Sequence, residues 1–192
     1  MPLGDRFDRA LALAHRVHRH QVRKGTRVPY MAHLMAVTAI TLEYGGDEDQ
    51  AVAALLHDTL EDTRELAPSE LRAIIRDEFG AGVLLIVEDC TDTDERPKPA
   101  WWPRKERYLL HVRGASTRSL LVSAADKLHN VQSILRDLPY HGDATFDKFS
   151  REAGKAGTLW YYRALSEVFT ERLGGRLAAE LARAVGELDG RS

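Results

Sequence analysis

The stretch AALLHDTLEDT, residues 53–63, decides the fold and singles out one site. It begins as an apolar helix face and then places His57, Asp58, Glu61 and Asp62 within two turns. At 3.6 residues per turn, these four positions fall within an arc of roughly 140° on one side of a helix. Like charges at this spacing repel each other and weaken a helix. We therefore expect a positively charged group in front of them.

Helical periodicity continues on both sides of this stretch, because apolar residues recur at i, i+3 and i+4 along most of the chain. The segment AGVLLIVEDC is ambiguous between helix and strand, and we interpret it as a helix because no partner strand is near. The pattern predicts helices over residues 6–23, 30–44, 48–62, 68–79, 81–90, 104–114, 117–138, 158–174 and 176–188. The prediction is an all-α fold, one domain over residues 1–192, built as a bundle of about eight to ten helices.

The predicted helix boundaries rest on turn and capping residues. Asp47 and Gln50 have the spacing of a capping box at the start of the helix that carries residues 57–62. Pro139 is expected to stop the long helix, and Gly154 and Gly157 to form a break before the next one. The polar segment TDTDERPKPAWWP, residues 91–103, is predicted to be a loop.

Composition excludes several classes of protein. The chain has 192 residues, 44% hydrophobic and 29% charged, which is typical of a soluble globular domain. Its one cysteine excludes an internal disulfide and a cysteine-rich zinc site. Charges interrupt every apolar stretch, so neither a signal peptide nor a membrane span is expected, and a cytoplasmic location is the default.

The charge distribution is more informative than the net charge of −2, which does not suggest a nucleic-acid partner. Residues 16–27 contain no acid and five basic side chains: Arg16, Arg19, Arg23, Lys24 and Arg27. A basic segment beside an acidic, metal-binding one suits a polyanionic substrate presented to a cation. For most of these residues a solvated helix face is the simpler interpretation.

A divalent cation in a helical scaffold needs imidazole nitrogens and carboxylate oxygens from several helices. His57 and Asp58 alone are weak support, because a histidine satisfied in the core would be favoured by roughly four to one. His33 lies in PYMAHLMAV, within apolar surroundings, and Asp126 follows an apolar helical stretch in LLVSAADKLHNV. A buried carboxylate is costly without a partner, so Asp126 indicates a cation or a specific hydrogen-bond network.

Three segments together resemble the hydrolase domain of the RelA/SpoT family: AHRVHRHQVRKGTRVPYMAH, AALLHDTLEDT and AADKLHNV. They occur in family order and cover about the first two-thirds of the chain. That domain belongs to the HD superfamily and removes pyrophosphate from the 3′ position of (p)ppGpp. The small alarmone hydrolases and the metazoan SpoT homologue are similar in length. The resemblance implies an HD-type helical bundle and hydrolysis without synthesis of the alarmone.

The resemblance also implies roles for individual residues. Glu61 and Asp62 match the pair that handles the attacking water. Arg23 and Lys24 match the pair that packs against the base and contacts the nucleotide, and Asn130 matches a contact on the sugar-phosphate side. The metal ligands, usually of Mn²⁺, would be His33, His57, Asp58 and Asp126. One departure is Leu34, which stands where the family normally has proline.

The chemistry is also coherent without the resemblance. Two imidazoles and two carboxylates leave open positions for water and a phosphate oxygen, and a cation there makes the water more acidic. Glu61, four residues after His57, is placed to accept the proton. Mixed nitrogen and oxygen ligation suits Mn²⁺ but does not exclude Fe²⁺, Zn²⁺, Co²⁺ or Ni²⁺.

Other residues carry weaker hypotheses. Trp101 and Trp102 could stack on a base, but we favour a role as core or interface anchors. The segment LWYYRAL is interpreted as a core stripe at the rear of the domain, and Cys90 as a small buried apolar residue. His129 lies three residues after Asp126. This position is about equally consistent with a packing role and with a place near the site. Three further cations could meet phosphates: Lys98, Arg104 and Lys105.

The leading hypothesis is a metal-dependent (p)ppGpp 3′-pyrophosphohydrolase that acts on a small-molecule nucleotide, without a nucleic-acid or membrane partner. The sequence leaves a homo-oligomer open. A second hypothesis keeps the metal chemistry and changes the substrate to NADPH or another phosphorylated nucleotide. A third is a non-catalytic nucleotide sensor, but the Glu61 and Asp62 pair argues against it, because a sensor needs no water-activating carboxylates.

Overall fold

The computed structural model of the chain describes residues 2–62, 66–148, 150 and 152–191, with the side chain of Asp62 outside that description. These residues form eleven α-helices, of which nine have nine or more residues and two have four. The helices are α1 (Asp5–His18), α2 (Met31–Glu43), α3 (Glu48–Leu56), α4 (Thr59–Asp62), α5 (Pro68–Phe79), α6 (Ala81–Cys90), α7 (Trp101–Gly114), α8 (Thr117–His141), α9 (Ala144–Asp147), α10 (Gly154–Arg172) and α11 (Gly175–Arg191). The all-α prediction is confirmed.

Local sequence signals set several helix ends as expected. The capping box at α3 is present: the Asp47 carboxylate accepts from the backbone N–H of Gln50 at 3.0 Å, and the Gln50 side chain accepts from the backbone N–H of Asp47 at 3.1 Å. Pro68 opens α5, and Gly80, with a φ of 95°, ends it. The ambiguous apolar segment is the helix α6.

The centre of the bundle is α3, in which every residue from 50 to 56 is buried. Helices α1, α2, α6 and α8 surround it, and α10 and α11 pack against α8. The buried apolar cluster runs from Ala10 in the first helix to Leu188 in the last. One domain over residues 1–192 stays a prediction. None of the described helices is both long enough and apolar enough to cross a membrane.

The first helix is shorter than the predicted 6–23. It ends at His18, and residues 21–30 form a hairpin with an isolated antiparallel bridge between Val22 and Pro29. The backbone N–H of Arg23 donates to the carbonyl of Val28 at 2.9 Å. This pairing, with Gly25 at a φ of 70°, satisfies backbone groups that a longer helix would otherwise bind.

The prediction that residues 57–62 continue one helix is also wrong. Helix α3 ends at Leu56, and α4 begins at Thr59, so His57 and Asp58 lie in the turn between two helices. The hydroxyl of Thr59 donates to the carbonyl of Leu56 at 2.6 Å and stabilises this turn. The chain thereby changes direction at the two residues with the strongest chemical signal.

Three further boundaries differ from the prediction. Helix α7 begins at Trp101, so the tryptophan pair lies in a helix rather than in a loop. Helix α8 continues two residues beyond Pro139, which removes one backbone hydrogen bond without ending the helix, and the helix ends before Gly142, whose φ is 54°. Gly157 lies inside α10, where the ring of Trp102 comes within 3.1 Å of the place that a Cβ would take.

Candidate active site

A cleft of about 710 Å³ opens between the 21–30 hairpin and the middle parts of α8 and α10. Its volume is typical of a pocket for a small molecule. Seven Lys and Arg side chains and five Asp and Glu side chains are found among its described lining residues. The basic ones are Arg23, Lys24, Lys98, Lys105, Lys127, Arg136 and Lys148, and the acidic ones are Asp58, Glu61, Asp92, Asp126 and Asp137.

At the base of the cleft lies the His–Asp cluster, which we define as His33, His57, Asp58 and Asp126. The Nε2 atom of His57 is 3.0 Å from Oδ2 of Asp58 and 3.7 Å from Oδ1 of Asp126. The Nε2 atom of His33 is 3.5 Å and 3.2 Å from the same two oxygens. The structure therefore brings together four side chains from α2, the α3–α4 turn and α8.

The two carboxylates of this cluster favour a positive charge on or between the neighbouring imidazoles. Burial by itself lowers the pKa of His57, but the carboxylates of Asp58 and Asp126 outweigh it and raise that pKa well above its ordinary value. Burial raises the pKa of Asp58, yet His57 and His33 hold it well below its usual range. Burial also raises the pKa of Asp126, and Lys127 with the two histidines reverses that effect and lowers it.

The donor set fits a divalent cation. The Nδ1 atom of His57 lies 2.8 Å from the carbonyl of Ala54 and donates to it, so Nε2 faces the carboxylates, where a metal ion can replace its proton. Nε2 is buried and makes no hydrogen bond, although Oδ2 of Asp58 lies 3.0 Å away. Ligand atoms of His33, His57 and Asp58 lie within 4.8 Å of one another. A metal with mixed nitrogen and oxygen ligation satisfies these facing lone pairs.

The Glu61 carboxylate lines the cleft one turn after Asp58. Its Oε1 lies 2.8 Å from the ammonium group of Lys98. Burial and the charge of Asp58 raise the pKa of Glu61, while Lys98 lowers it in part. Asp62 is the last residue of α4, and its side chain lies outside the described residues.

A chain of hydrogen bonds links the hairpin to the His–Asp cluster. Nη2 of Arg23 donates to Oδ1 of Asn130 at 2.8 Å, and Nδ2 of Asn130 donates to Oδ1 of Asp126 at 2.6 Å. The guanidinium of Arg23 also lies over the ring of Tyr30, 5.8 Å from its centroid. Lys24 is exposed at the cleft wall. Four of the five predicted residues outside the cluster therefore line this cleft, and the side chain of the fifth, Asp62, lies outside the described residues.

Sequence reasoning missed one residue and left another open. The hydroxyl of Tyr30 donates to Oδ2 of Asp58 at 2.6 Å. Its position three residues before His33, on the same helix face, could have indicated it. The Nδ1 atom of His129 lies 2.8 Å from Nδ1 of His33, so His129 contacts the cluster rather than only packing nearby.

Two tyrosines line the cleft, whereas the tryptophans Trp101 and Trp102 lie away from it. Trp101 is buried against Trp160 and Tyr161, as a core anchor, and Trp102 packs against Trp160 with their rings inclined by 50°. Neither tryptophan lines the cleft. The segment LWYYRAL was expected at the rear of the domain, but Tyr161 and Tyr162 line the cleft. Both tyrosines are only 5% exposed. The prediction failed because the spacing of buried residues along a helix is the same whether that face borders a cleft or the core.

The remaining predicted side chains are also found. Lys98 and Lys105 line the cleft, whereas Arg104 is not among its lining residues and forms an ion pair with Asp92. Cys90 is buried, as expected, although it touches the cleft. Burial raises the pKa of its thiol, which keeps the sulfur protonated.

Comparison with known proteins agrees with this geometry. A family model described as HD domain matches residues 10–153. The human protein named guanosine-3′,5′-bis(diphosphate) 3′-pyrophosphohydrolase MESH1 is 38% identical over 134 residues, which are 68% of this chain and 70% of that protein. The corresponding Xenopus tropicalis protein is 38% identical over 125 residues, 64% of this chain and 65% of that one. A GTP pyrophosphokinase of Streptomyces coelicolor is 36% identical over 129 residues, 67% of this chain but 14% of that protein.

Two solved structures share the fold. A metazoan orthologue of SpoT matches 97% of both chains with a TM-score of 0.77 and 22% identity. A protein of Listeria monocytogenes matches 81% of this chain and 97% of its own with a TM-score of 0.68 and 28% identity. The resemblance to RelA/SpoT-type hydrolase domains is thereby confirmed. On the match over residues 10–153 and the identity to the human relative, the chain belongs to the HD domain family.

Proposed function

We propose that this chain hydrolyses the 3′-pyrophosphate of (p)ppGpp in a metal-dependent reaction that gives GDP or GTP and pyrophosphate. The observation that carries the proposal is the convergence of His33, His57, Asp58 and Asp126 at the base of a cleft rich in cations. The names of the MESH1 relatives support this substrate over NADPH and over a non-catalytic sensor.

The His–Asp cluster would hold one divalent ion, and we propose Mn²⁺ as that ion. The chemistry that such an ion supplies is charge neutralisation at the phosphate and a lowered pKa of water. Its ligand atoms would be Nε2 of each histidine and one oxygen of each carboxylate. Tyr30 orients the Asp58 carboxylate through its hydroxyl, and the carbonyl of Ala54 fixes the ring of His57.

Glu61 is proposed as the proton acceptor for the attacking water, with Asp62 as its partner carboxylate. The water oxygen bonds to the phosphorus attached to the 3′ oxygen, and the bond between that phosphorus and the 3′ oxygen breaks. One proton of the water passes to a carboxylate oxygen of Glu61, and the 3′ oxygen takes a proton from solvent. Pyrophosphate leaves with the oxygen of the water. A raised pKa makes Glu61 a stronger base than an exposed glutamate.

Arg23, Lys24 and Asn130 are proposed to bind the nucleotide. The guanidinium of Arg23 is planar and already held by Asn130 and Tyr30, which suits it for stacking on a base. Lys24 adds a positive charge at the cleft wall for a phosphate. A cytoplasmic location and a homo-oligomer stay predictions.

The test is to incubate the Mn²⁺-loaded protein with ppGpp, pppGpp and NADPH, and to identify the products by anion-exchange chromatography. We expect GDP or GTP with pyrophosphate, and no comparable turnover of NADPH. The Glu61→Gln variant should retain its metal and lose about 10²–10⁴-fold in rate. Release of orthophosphate, preferred turnover of NADPH or an unchanged rate in Glu61→Gln would contradict the proposal.

A further inference from the structure

Tyr161 of α10 carries a buried hydroxyl that has no hydrogen-bond partner among the residues that the structure describes. The residue is 5% exposed, and it lines the cleft. The neighbouring Tyr108 differs, because its hydroxyl is 2.9 Å from the hydroxyl of Ser123 and it is not among the lining residues. A buried hydroxyl without a partner is unfavourable, so this one, on a residue that lines the cleft, indicates a polar group of a ligand.

The surroundings of this hydroxyl are positively charged. The ammonium group of Lys105 lies 4.6 Å from the centroid of the Tyr161 ring and 2.7 Å from Oδ2 of Asp92. Arg104 pairs with the same oxygen of Asp92. Two cations therefore share the carboxylate of Asp92, which leaves one net positive charge in this group of three side chains. Burial raises the pKa of Tyr161, so its hydroxyl stays protonated and can donate.

The position of Tyr161 relative to the nucleotide-binding residues follows from Asp126. Its Oδ1 atom accepts from Asn130, which continues to Arg23, whereas its Oδ2 atom contacts the ammonium group of Lys127. Lys127 in turn lies over the ring of Tyr108, 5.1 Å from its centroid, and that ring is 6.5 Å from the ring of Tyr161. Oδ1 of Asp126 thus faces the proposed nucleotide-binding residues Asn130 and Arg23, and Oδ2 faces Lys127 on the side of Tyr161.

We propose that the hydroxyl of Tyr161, with the ammonium groups of Lys105 and Lys127, forms the subsite that holds the pyrophosphoryl group during hydrolysis and the pyrophosphate product afterwards. The inference rests on the proposed function. A pyrophosphoryl group brings several charged oxygens, which match one hydroxyl donor and two ammonium donors. The 5′-diphosphate of the nucleotide would lie on the side of Arg23 and Lys24.

Calorimetric titration of the Mn²⁺-loaded protein with inorganic pyrophosphate and, separately, with GDP tests the subsite. Tyr161→Phe removes one hydrogen bond to a charged group, so pyrophosphate binding should weaken by roughly 10- to 100-fold. GDP binding should not change. The matched control is Tyr108→Phe, which also removes one buried hydroxyl and should leave the affinity for pyrophosphate unchanged.

Thermal unfolding without ligand separates a binding role from a structural one. The Tyr161 hydroxyl has no partner to lose, so Tyr161→Phe should have the same Tm as the wild type or a higher one, whereas Tyr108→Phe should have a lower Tm. Unchanged pyrophosphate affinity in Tyr161→Phe, an equal loss of GDP affinity or a lowered Tm would overturn the subsite.

The subsite and the proposed function can fail separately. If the wild type hydrolyses (p)ppGpp while Tyr161→Phe binds pyrophosphate as tightly, the subsite is wrong and the function stands. If the wild type does not hydrolyse (p)ppGpp but Tyr161→Phe alone loses pyrophosphate affinity, the subsite stands and the function is wrong.

Discussion

The imidazole rings of His33 and His129 meet through their Nδ1 atoms, which lie 2.8 Å apart. With Nε2 of His33, 3.2 Å from Asp126, as a ligand of the proposed metal ion, its Nδ1 would carry the hydrogen and donate it to His129. Burial, with the neighbouring His33 and Arg23, lowers the pKa of His129 to about 3. His129 is therefore neutral at pH 7 and has the lone pair that this contact needs.

This contact predicts the effect of His129→Phe. The phenyl ring keeps the approximate volume but accepts no hydrogen bond, so His33 loses the group that holds its orientation. Loss of such a partner typically costs 10–100-fold in metal affinity, and we expect a fall of about that size for Mn²⁺. Competition with a chelator measures it, and His20→Phe, at an exposed position outside the cleft, serves as the control. Equal Mn²⁺ affinity in both variants would show that His129 only packs.

The ion pair between Lys98 and Glu61 predicts a shift in pH dependence. Glu61 accepts a proton only as a carboxylate, and Lys98 lowers its pKa against the effects of burial, Asp58 and Asp92. Lys98→Met removes the lowering contribution, so the pKa of Glu61 rises. The acid side of the kcat/KM profile should then move to higher pH, with a lower rate near neutrality.

The matched control for this prediction is Lys155→Met, which breaks the ion pair of a half-buried lysine with the exposed Asp143. Its pH profile should equal that of the wild type. An acid side that stays in place in Lys98→Met, or moves to lower pH, would remove Glu61 from the proton-transfer step.

The hairpin residues predict how substrate binding depends on shape and on charge. Arg23→Lys keeps the charge but loses the planar group held by Asn130, so KM for ppGpp should rise by about tenfold, with kcat little changed. Lys24→Ala should make kcat/KM less sensitive to salt, because one phosphate contact is lost. Arg27→Ala is the control, since Arg27 is exposed on the same hairpin but outside the cleft lining. Equal kinetics in all three variants would show that the hairpin does not bind substrate.

Two helical glycines predict opposite effects on stability. A Cβ at Gly157 would lie 2.6 Å from the Cβ of Ala153 and 3.1 Å from the ring of Trp102, so Gly157→Ala should lower the free energy of unfolding by about 1–3 kcal/mol. Nothing lies within 4 Å of the corresponding position at Gly186 of α11. Gly186→Ala should therefore raise the free energy of unfolding by up to about 1 kcal/mol. Urea unfolding measures both, and a stabilising Gly157→Ala would mean that the Trp102 contact is loose.

Much of the fold follows from local signals in the sequence. The spacing of apolar residues predicted α2, α5 and α6 closely, and Asp47 with Gln50 predicted the start of α3. These signals act within a few residues, so tertiary contacts did not alter them. The four side chains of the His–Asp cluster were named as a set from the resemblance to RelA/SpoT hydrolase domains, while residue chemistry alone indicated only that His57, Asp58 and Asp126 needed a partner.

Several of the errors depend on contacts that helical periodicity does not reveal. The end of α1 depends on the bridge between Val22 and Pro29, which no helix propensity reveals. Likewise Gly157 breaks no helix, because the ring of Trp102 needs the space that a side chain would occupy. The place of Tyr161 at the cleft was hidden, since periodicity identifies a buried face without showing what lies across from it.

Helix α8 carries Asp126, Lys127 and Asn130 within little more than one turn of a rigid 25-residue rod. Insertion of a single residue between Ser119 and Asp126 would rotate all three side chains by about 100° relative to α2 and α3. The proposed contacts to metal, pyrophosphate and nucleotide would then be lost together. The 91–100 connection contains no helix and can absorb a change of length without such a rotation. Among descendants of this chain, insertions and deletions should therefore accumulate in the 91–100 connection and be absent from the first half of α8.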